Sequence, residues 1–576
     1  MKSSRPAGTR GSFIAAVVAL LLILSGCSSI PRSGPVATIP APAVEEDTVS
    51  QVFSPEGPQP GAPPEVLLQE FITAGTGAAD GYNVAREFLT PELARTWQPE
   101  ERIVIFRADP RIIQREAEGA LQVQLEITGI IDARGIRTDP PTPTTESVRA
   151  EMVKINGQWR ISEIPNGIMV TESNASLLAT AHHLYFYSSG YRYWVPDVRW
   201  FVRRPGIAAR VVQALLAGPA PYLQGAVTSA FPEGVTLAQE SVPIASGVAS
   251  VELSADVLQD ATDLRLQQME QQLRVNLTTL NDVTSVEMSA GQPIDLGSPD
   301  PALVIPDFNP PVGNEQVVIA DNEVRTVRNL DVLPVEGLPS VAAYNPKDPA
   351  RSLEGSSFAF LNGRSTALLA TAPGSEVRTA VEGAGLTAPS FDTSNWVWTA
   401  RSVEGGPSGR GTEVVAVPPG GMTRNAVVVS ASWLADRTVR ELQISRDGAR
   451  ALLVVDEAGT SEVLLAGITR SAQGIPQSLG NPIALNAGAD IGTAKWAGES
   501  TIVASPVSGT AEVTPLIVQL SGETEALKPH KGVLNISAGS DPQEDFYIQT
   551  AEALFARVGL SWIRSVEGVR DPAFPG

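Results

Sequence analysis

Cys27 is the only cysteine among 576 residues, so no disulfide can staple one part of this chain to another. Whatever it folds into must be held by apolar cores instead. The position of that cysteine matters as well. Lys2, Arg5 and Arg10 come first, followed by an unbroken apolar run from Phe13 to Leu24 and then Ser25-Gly26. A basic start, an apolar stretch of 12 residues and small residues before a cut make a secretory leader. The run is shorter than the roughly 18–20 residues that a membrane span needs.

Leu24-Ser25-Gly26-Cys27 resembles the bacterial lipobox. That resemblance implies cleavage before Cys27, which becomes the new N-terminus as an N-palmitoyl, S-diacylglycerol cysteine. A plain leader cut beside an unrelated cysteine is the alternative. Loss of residues 1–26 removes three positive charges and no acid, which takes the net charge from −21 to −24. A field this negative excludes nucleic acid and anionic lipid as partners of the overall charge. Attachment to a cell membrane on its extracytoplasmic face must then come from the lipid, and several acyl chains hold firmly where one binds marginally. With 43% hydrophobic and 18% charged residues the chain is globular, long enough for two or three domains.

Residues 27–64 carry prolines at 31, 35, 40, 42, 55, 58, 60, 63 and 64. Such a stretch cannot pack a core and predicts an extended tether. Order is expected from Glu65. Val66, Leu67 and Phe71 fit a helix ending near Gly75, and a short helix over Tyr82–Leu89 stops at Thr90-Pro91. The period then changes to two at Ile103–Phe106 and Leu121–Ile127, and Asn156-Gly157 between β-type runs predicts a tight hairpin. Residues 65–175 thus read as an α+β unit whose layout resembles the nuclear-transport-factor-2-like cone.

A second unit is expected over 185–300. Tyr193–Val198 reads as a strand, Pro205 as the first turn of a helix with Ile207, Val211, Ala214 and Leu215 inward, and Gly218-Pro219 as its stop. A longer helix places Leu266, Met269, Leu273, Leu277 and Leu280 on one face, with Glu270 and Arg274 paired outside. Val211-Val-Gln-Ala-Leu-Leu-Ala-Gly-Pro219, Phe231-Pro-Glu-Gly234 and Val251-Glu-Leu-Ser254 resemble the GerMN domain of sporulation and germination proteins. Together with the lipobox, Tyr82-Asn-Val-Ala-Arg-Glu-Phe-Leu-Thr90 and Trp97-Gln-Pro99, the whole chain resembles the LpqB family of actinobacterial lipoproteins. The resemblance implies an α/β GerMN-like fold for the second unit. It also implies a partner, the extracellular domain of the sensor histidine kinase MtrB, and through it an influence on the response regulator MtrA and on envelope and division homeostasis.

Over 316–576 helical periodicity gives way to short β-type runs separated by Gly, Asp, Asn and Ser. Pro389-Ser-Phe-Asp392 before Trp396-Val-Trp398 echoes Ile444-Ser-Arg-Asp-Gly448 before Ala451–Val454, with weaker echoes at Ala494-Lys-Trp496 and Ile536-Ser537. Spacings of about 45–55 residues predict an all-β propeller of five or six blades, with paired β-sandwiches as the rival.

Catalytic residue types are sparse. The three histidines, His182, His183 and His530, sit in no metal-ligand spacing, and no cofactor motif is present. Gly363-Arg-Ser365 lacks the second glycine of a nucleophile elbow and reads as a hairpin turn. Gly405–Gly411 lacks the Lys-Ser/Thr and the helix of a phosphate loop. Asp541, Glu544 and Asp545 lack EF-hand spacing. The expectation is a non-enzymatic binding protein. An envelope glycan binder or propeller glycosidase using Trp396, Trp398 and Trp496 is the alternative. Against the acidic background, Arg192, Arg199, Arg203, Arg204 and Arg210 crowd one stretch. Arg199, Arg203 and Arg204 are the candidate partner-contact residues, the first two sharing a face only if the segment is helical.

Overall fold

The computed structural model describes Pro55–Gly576 except residues 79–80, 141–142, 260, 329, 405–410, 458 and 489. Leu24, Ser25, Gly26, Cys27 and most of the tether lie outside the described residues, as does nearly all of the Gly405–Gly411 segment. The described part is multidomain and mostly β.

In the first unit the helix Pro64–Ala74 starts on Pro63 and buries Leu67, Leu68, Phe71 and Ile72. Proline at the first helical position costs nothing, because its missing N–H would have had no partner. Val66 stays 45% exposed, so Leu68 takes the place expected for it. Phe71 and Trp97 meet at 5.4 Å over a curled sheet. Its strands run in the order Gln158–Glu163, Thr144–Ile155, Ala120–Asp132, Arg102–Gln114, Ile168–Thr171. Asn156 and Gly157 both take positive φ, 51° and 79°, as the hairpin signal predicted.

The second unit begins with a pair the sequence reading largely missed. Ala179–Ser188 runs antiparallel to Trp194–Val202, so the histidines lie on a strand. Gly206, at φ 84°, caps the helix Ile207–Leu216, and Pro205 precedes that helix without entering it. Val248–Glu252 and Ser285–Ser289 are parallel neighbours joined through the helix Asp263–Leu277. Its leucine face is buried as expected, but so are Gln267, Gln271, Gln272 and Asn276. Gln272 and Asn276 donate to the Tyr185 carbonyl at 3.0 and 3.1 Å, while Asn276 Oδ1 accepts from the Tyr185 N–H at 2.7 Å. The helix therefore completes hydrogen bonds that the strand would otherwise leave open.

Six sheets of at least four antiparallel strands form the propeller. The innermost strands are Arg570–Ala573, Lys347–Arg351, Ser390–Phe391, Thr438–Ile444, Thr493–Trp496 and Asn535–Ala538. Blade one is composite: Arg570–Ala573 pairs with Glu315–Ala320, closing the ring with a strand from the far end of the domain. Cores lie between neighbouring sheets, for example Leu442, Leu453 and Leu464 with Trp398 and Val414.

Candidate functional site

The crowded arginines are scattered by the fold. Arg199 faces inward from its strand and is only 1% exposed. Its Nε and Nη2 donate to the two carboxylate oxygens of Asp197 at 3.0 and 2.7 Å. Nη1 donates to the Arg134 carbonyl of the first unit at 2.8 Å, and Nη2 to the Gly218 carbonyl at 3.2 Å. Asp197 Oδ2 also accepts from the Ala220 N–H at 2.7 Å. A fully paired, buried guanidinium cannot meet a partner protein, so Arg199 leaves the candidate surface. The reason is the strand, which is buried along almost its whole length on both faces. Arg203 and Arg204 remain exposed in the bend that follows, Arg204 bridged to Glu100 at 3.1 Å.

His182 packs on Phe201 and His183 near Tyr185. Burial lowers the pKa of both rings, so they are neutral at pH 7. Ser365, at φ 52°, sits in the turn between Phe358–Leu361 and Ala367–Thr371, where Asn362 Oδ1 accepts from the Thr366 N–H at 2.9 Å. It is a hairpin residue. Among the described residues no group of three or more His, Cys, Asp or Glu could hold a metal ion.

The repeated segments turn out to be inner hairpins of the propeller. Asp392 Oδ1 accepts from the N–H of Ser394 and Trp396, and Oδ2 from Trp398 Nε1 at 3.0 Å and Arg470 at 2.7 Å. Asp447 plays the same part for Ser445, Ala449 and Arg450. Trp398 is fully buried with Arg470 against its ring, and Trp496 is 4% exposed beneath Arg450. Trp396 packs against the core between blades. Sugar stacking needs an open aromatic face, which neither Trp398 nor Trp496 offers.

The inner strands enclose an axial cavity of ≈ 40 Å³, lined among others by Asp348, Asp571, Lys495, Arg446 and Trp496. The backbone N–H of Asp348 donates to Asp571 Oδ2 at 3.3 Å. Arg446, 4% exposed, crosses from one hairpin to the carbonyls of Ala538 and Gly539. Glu441 pairs with Lys495 and accepts from Thr493 Oγ1 at 2.6 Å. The two aspartates belong to twin segments, Lys347-Asp348-Pro349-Ala350 and Arg570-Asp571-Pro572-Ala573, both with the aspartate at positive φ, 48° and 55°. Sequence reading passed over this pair. The repeated basic-Asp-Pro-Ala tetrad was the signal that could have found it.

Burial and the neighbouring Asp571 carboxylate push the Asp348 pKa up to about 6 from 3.8. A carboxylate with a raised folded pKa takes up a proton on folding between these values, so its contribution to stability falls as pH rises from 4 to 6. Asp348→Asn removes that charge and keeps a residue that tolerates positive φ. The variant is expected to gain up to about 3 kcal/mol at pH 7.5 and to lose most of the pH dependence between 4 and 7. Denaturant melts at both pH values check this.

The GerMN-type motif residues line an open groove of ≈ 1150 Å³, between the end of the helix at Gln213–Pro219 and the turn Phe231–Gly234.

Comparison with known proteins follows the same division. Residues 57–176 match the lipoprotein LpqB N-terminal domain, 183–294 the sporulation and spore germination domain, and 322–575 the lipoprotein LpqB beta-propeller domain. A lipoprotein LpqB of Streptomyces coelicolor is 24% identical over 626 residues, covering 98% of this chain and 97% of that one. The chain belongs to the LpqB lipoprotein family. A relative from Bifidobacterium longum is 29% identical over 257 residues, so that the match spans 42% of this chain and about half, 44%, of that relative. TolB of Acinetobacter baumannii aligns over 45% of this chain and 66% of its own at 14% identity, with a TM-score of 0.35, too slight a likeness to argue from. Family membership carries membrane anchoring as a lipoprotein. Among the described residues no helix is long and apolar enough to cross a membrane.

Proposed function

We propose that this protein is a membrane-anchored, extracytoplasmic binding module with no catalytic role. It is held by lipid on Cys27 over a tether of residues 27–64, with working units at 65–175, 185–300 and 316–576. Its partner is the extracellular domain of the sensor histidine kinase MtrB, and binding modulates signalling to MtrA and so envelope and division homeostasis. The partner is what the family resemblance implies. The observation that carries the reading is the seam joining the units. Besides the Arg199 node, Tyr185 OH donates to Glu499 Oε1 of the propeller at 2.8 Å, and Trp200 Nε1 to the Ser521 carbonyl at 3.1 Å. A body fixed in this way presents its surfaces in one arrangement and loses little freedom on binding. Anchoring both proteins in one membrane raises their local concentration, so modest contacts suffice. Arg203 and Arg204 stay candidates for that contact.

The mature Cys27→Ser chain and the kinase ectodomain are expected to bind directly, with a Kd on the order of tens of micromolar in calorimetry. No binding at about 50 µM sinks the partner assignment.

A further inference from the structure

The sheet of the first unit has one face against its core and one open. Val123, Leu125 and Ile127 point to the core, and the buried Gln122 and half-buried Gln124 and Glu126 to the other side. Register extends that open face across the strands: Arg111 opposes Gln124, Arg107 opposes Glu126, Arg149 opposes Gln122 and Arg160 opposes Val153. Arg115 follows Arg111 along the same edge. Arg107 is tied to Glu126 at 2.5 Å, whereas Arg111, Arg115 and Arg149 are exposed with no ion pair among the described residues. Glu151 and its exposed cross-strand partner Glu163 are the other acids of the face, against five arginines, and Val153, 43% exposed, adds an apolar spot. On a chain of net charge −21 this face carries a cationic excess.

Two facts select its occupant. Charge calls for an anionic surface. The chain enters this unit at Pro55, packed on Gly77, only 28 residues after Cys27. A linker of that length spans about 30 Å as a coil and at most roughly 90 Å extended. The unit that follows the anchor most closely in sequence is thus the one with the basic face, within the linker's reach of the headgroups. We infer that the open sheet face, through Arg111, Arg115 and Arg149, docks on the anionic phospholipid surface to which the protein is tethered. The rest of the acidic chain is repelled by the same surface, so the two effects together orient the molecule. This rests on the tethered reading above but not on the kinase.

The test uses the whole mature chain, Cys27→Ser, with a histidine tag at its start holding it to vesicles through a nickel-chelating lipid. Without native cysteine, Ser147→Cys places one fluorophore between Arg111 and Arg149, and Glu336→Cys one on the propeller. Vesicles of phosphatidylcholine with about 30% phosphatidylglycerol are compared with phosphatidylcholine alone. The label at 147 should be shielded from a water-soluble quencher at least about threefold more on the anionic vesicles. That shielding should vanish at about 0.5 M salt and in the Arg111→Gln/Arg115→Gln/Arg149→Gln variant. The corresponding lysine variant should keep it, the label at 336 should not change, and unaltered thermal melts confirm folding. Equal shielding on neutral vesicles, or an unaffected glutamine variant, overturns the inference. Shielding that appears only when kinase ectodomain is added overturns it too and gives the face to a protein. Because the nickel lipid replaces the acyl chains and no kinase is needed, failure here leaves the proposed partner standing.

Discussion

Arg199→Ala is expected to lower the unfolding free energy by about 3–5 kcal/mol, the largest loss of any single substitution considered. The alanine leaves Asp197 buried with a charge and one remaining partner, the Ala220 N–H, and frees the carbonyls of Arg134 and Gly218. Urea unfolding followed by tryptophan fluorescence gives the size of the effect. Faster amide exchange at Gly218–Ala220 would place it at the seam. The double variant Arg199→Met/Asp197→Leu should recover much of the loss, because removing both charges also removes the penalty of burying either. A single variant within about 1 kcal/mol of the native protein would mean that water reaches the node and that the units are less firmly joined.

Cys27→Ala has the largest expected effect on location. Without the thiol there is no thioether to diacylglycerol and no new lipidated terminus. No described helix can hold the protein in the bilayer instead. Membrane-bound protein should fall at least about a hundredfold, since several acyl chains, each adding about 0.8 kcal/mol per buried methylene, are lost together. Fractionation with immunodetection reads the shift, and the mass of the native N-terminal peptide shows the modification directly. Unchanged partitioning, or an unmodified Cys27 in the native protein, would discard the lipid anchor. On the proposed partner, crosslinking to the kinase in intact cells should weaken in the same variant, because co-anchoring would then supply most of the encounter.

Local signals were legible where local physics decides. Asn156-Gly157 specified its hairpin because few dipeptides tolerate two positive φ angles. The motif around Val211–Pro219 marked its helix, and the Asp392 and Asp447 echoes marked inner hairpins, because each aspartate satisfies backbone groups of its own turn. What escaped depends on distant partners. Gln272 and Asn276 look like a solvent face until Tyr185, some 90 positions away, is brought against them. Arg199 looks like a surface cation until Asp197 and two carbonyls close around it. The axial aspartates gave no hint of proximity beyond a four-residue repeat, because their strands become neighbours only when the ring closes.

That closing strand also sets an order of events. Arg570–Ala573 is made roughly 250 residues after the strand it completes, so the first blade stays unfinished until nearly the whole chain has been made. Pairing across so long an interval is slow, and an unfinished blade leaves an open edge that can take up a foreign strand. The lipid anchor proposed at Cys27 lies about 290 residues before the first strand of that blade, so attachment there does not wait for the ring to shut.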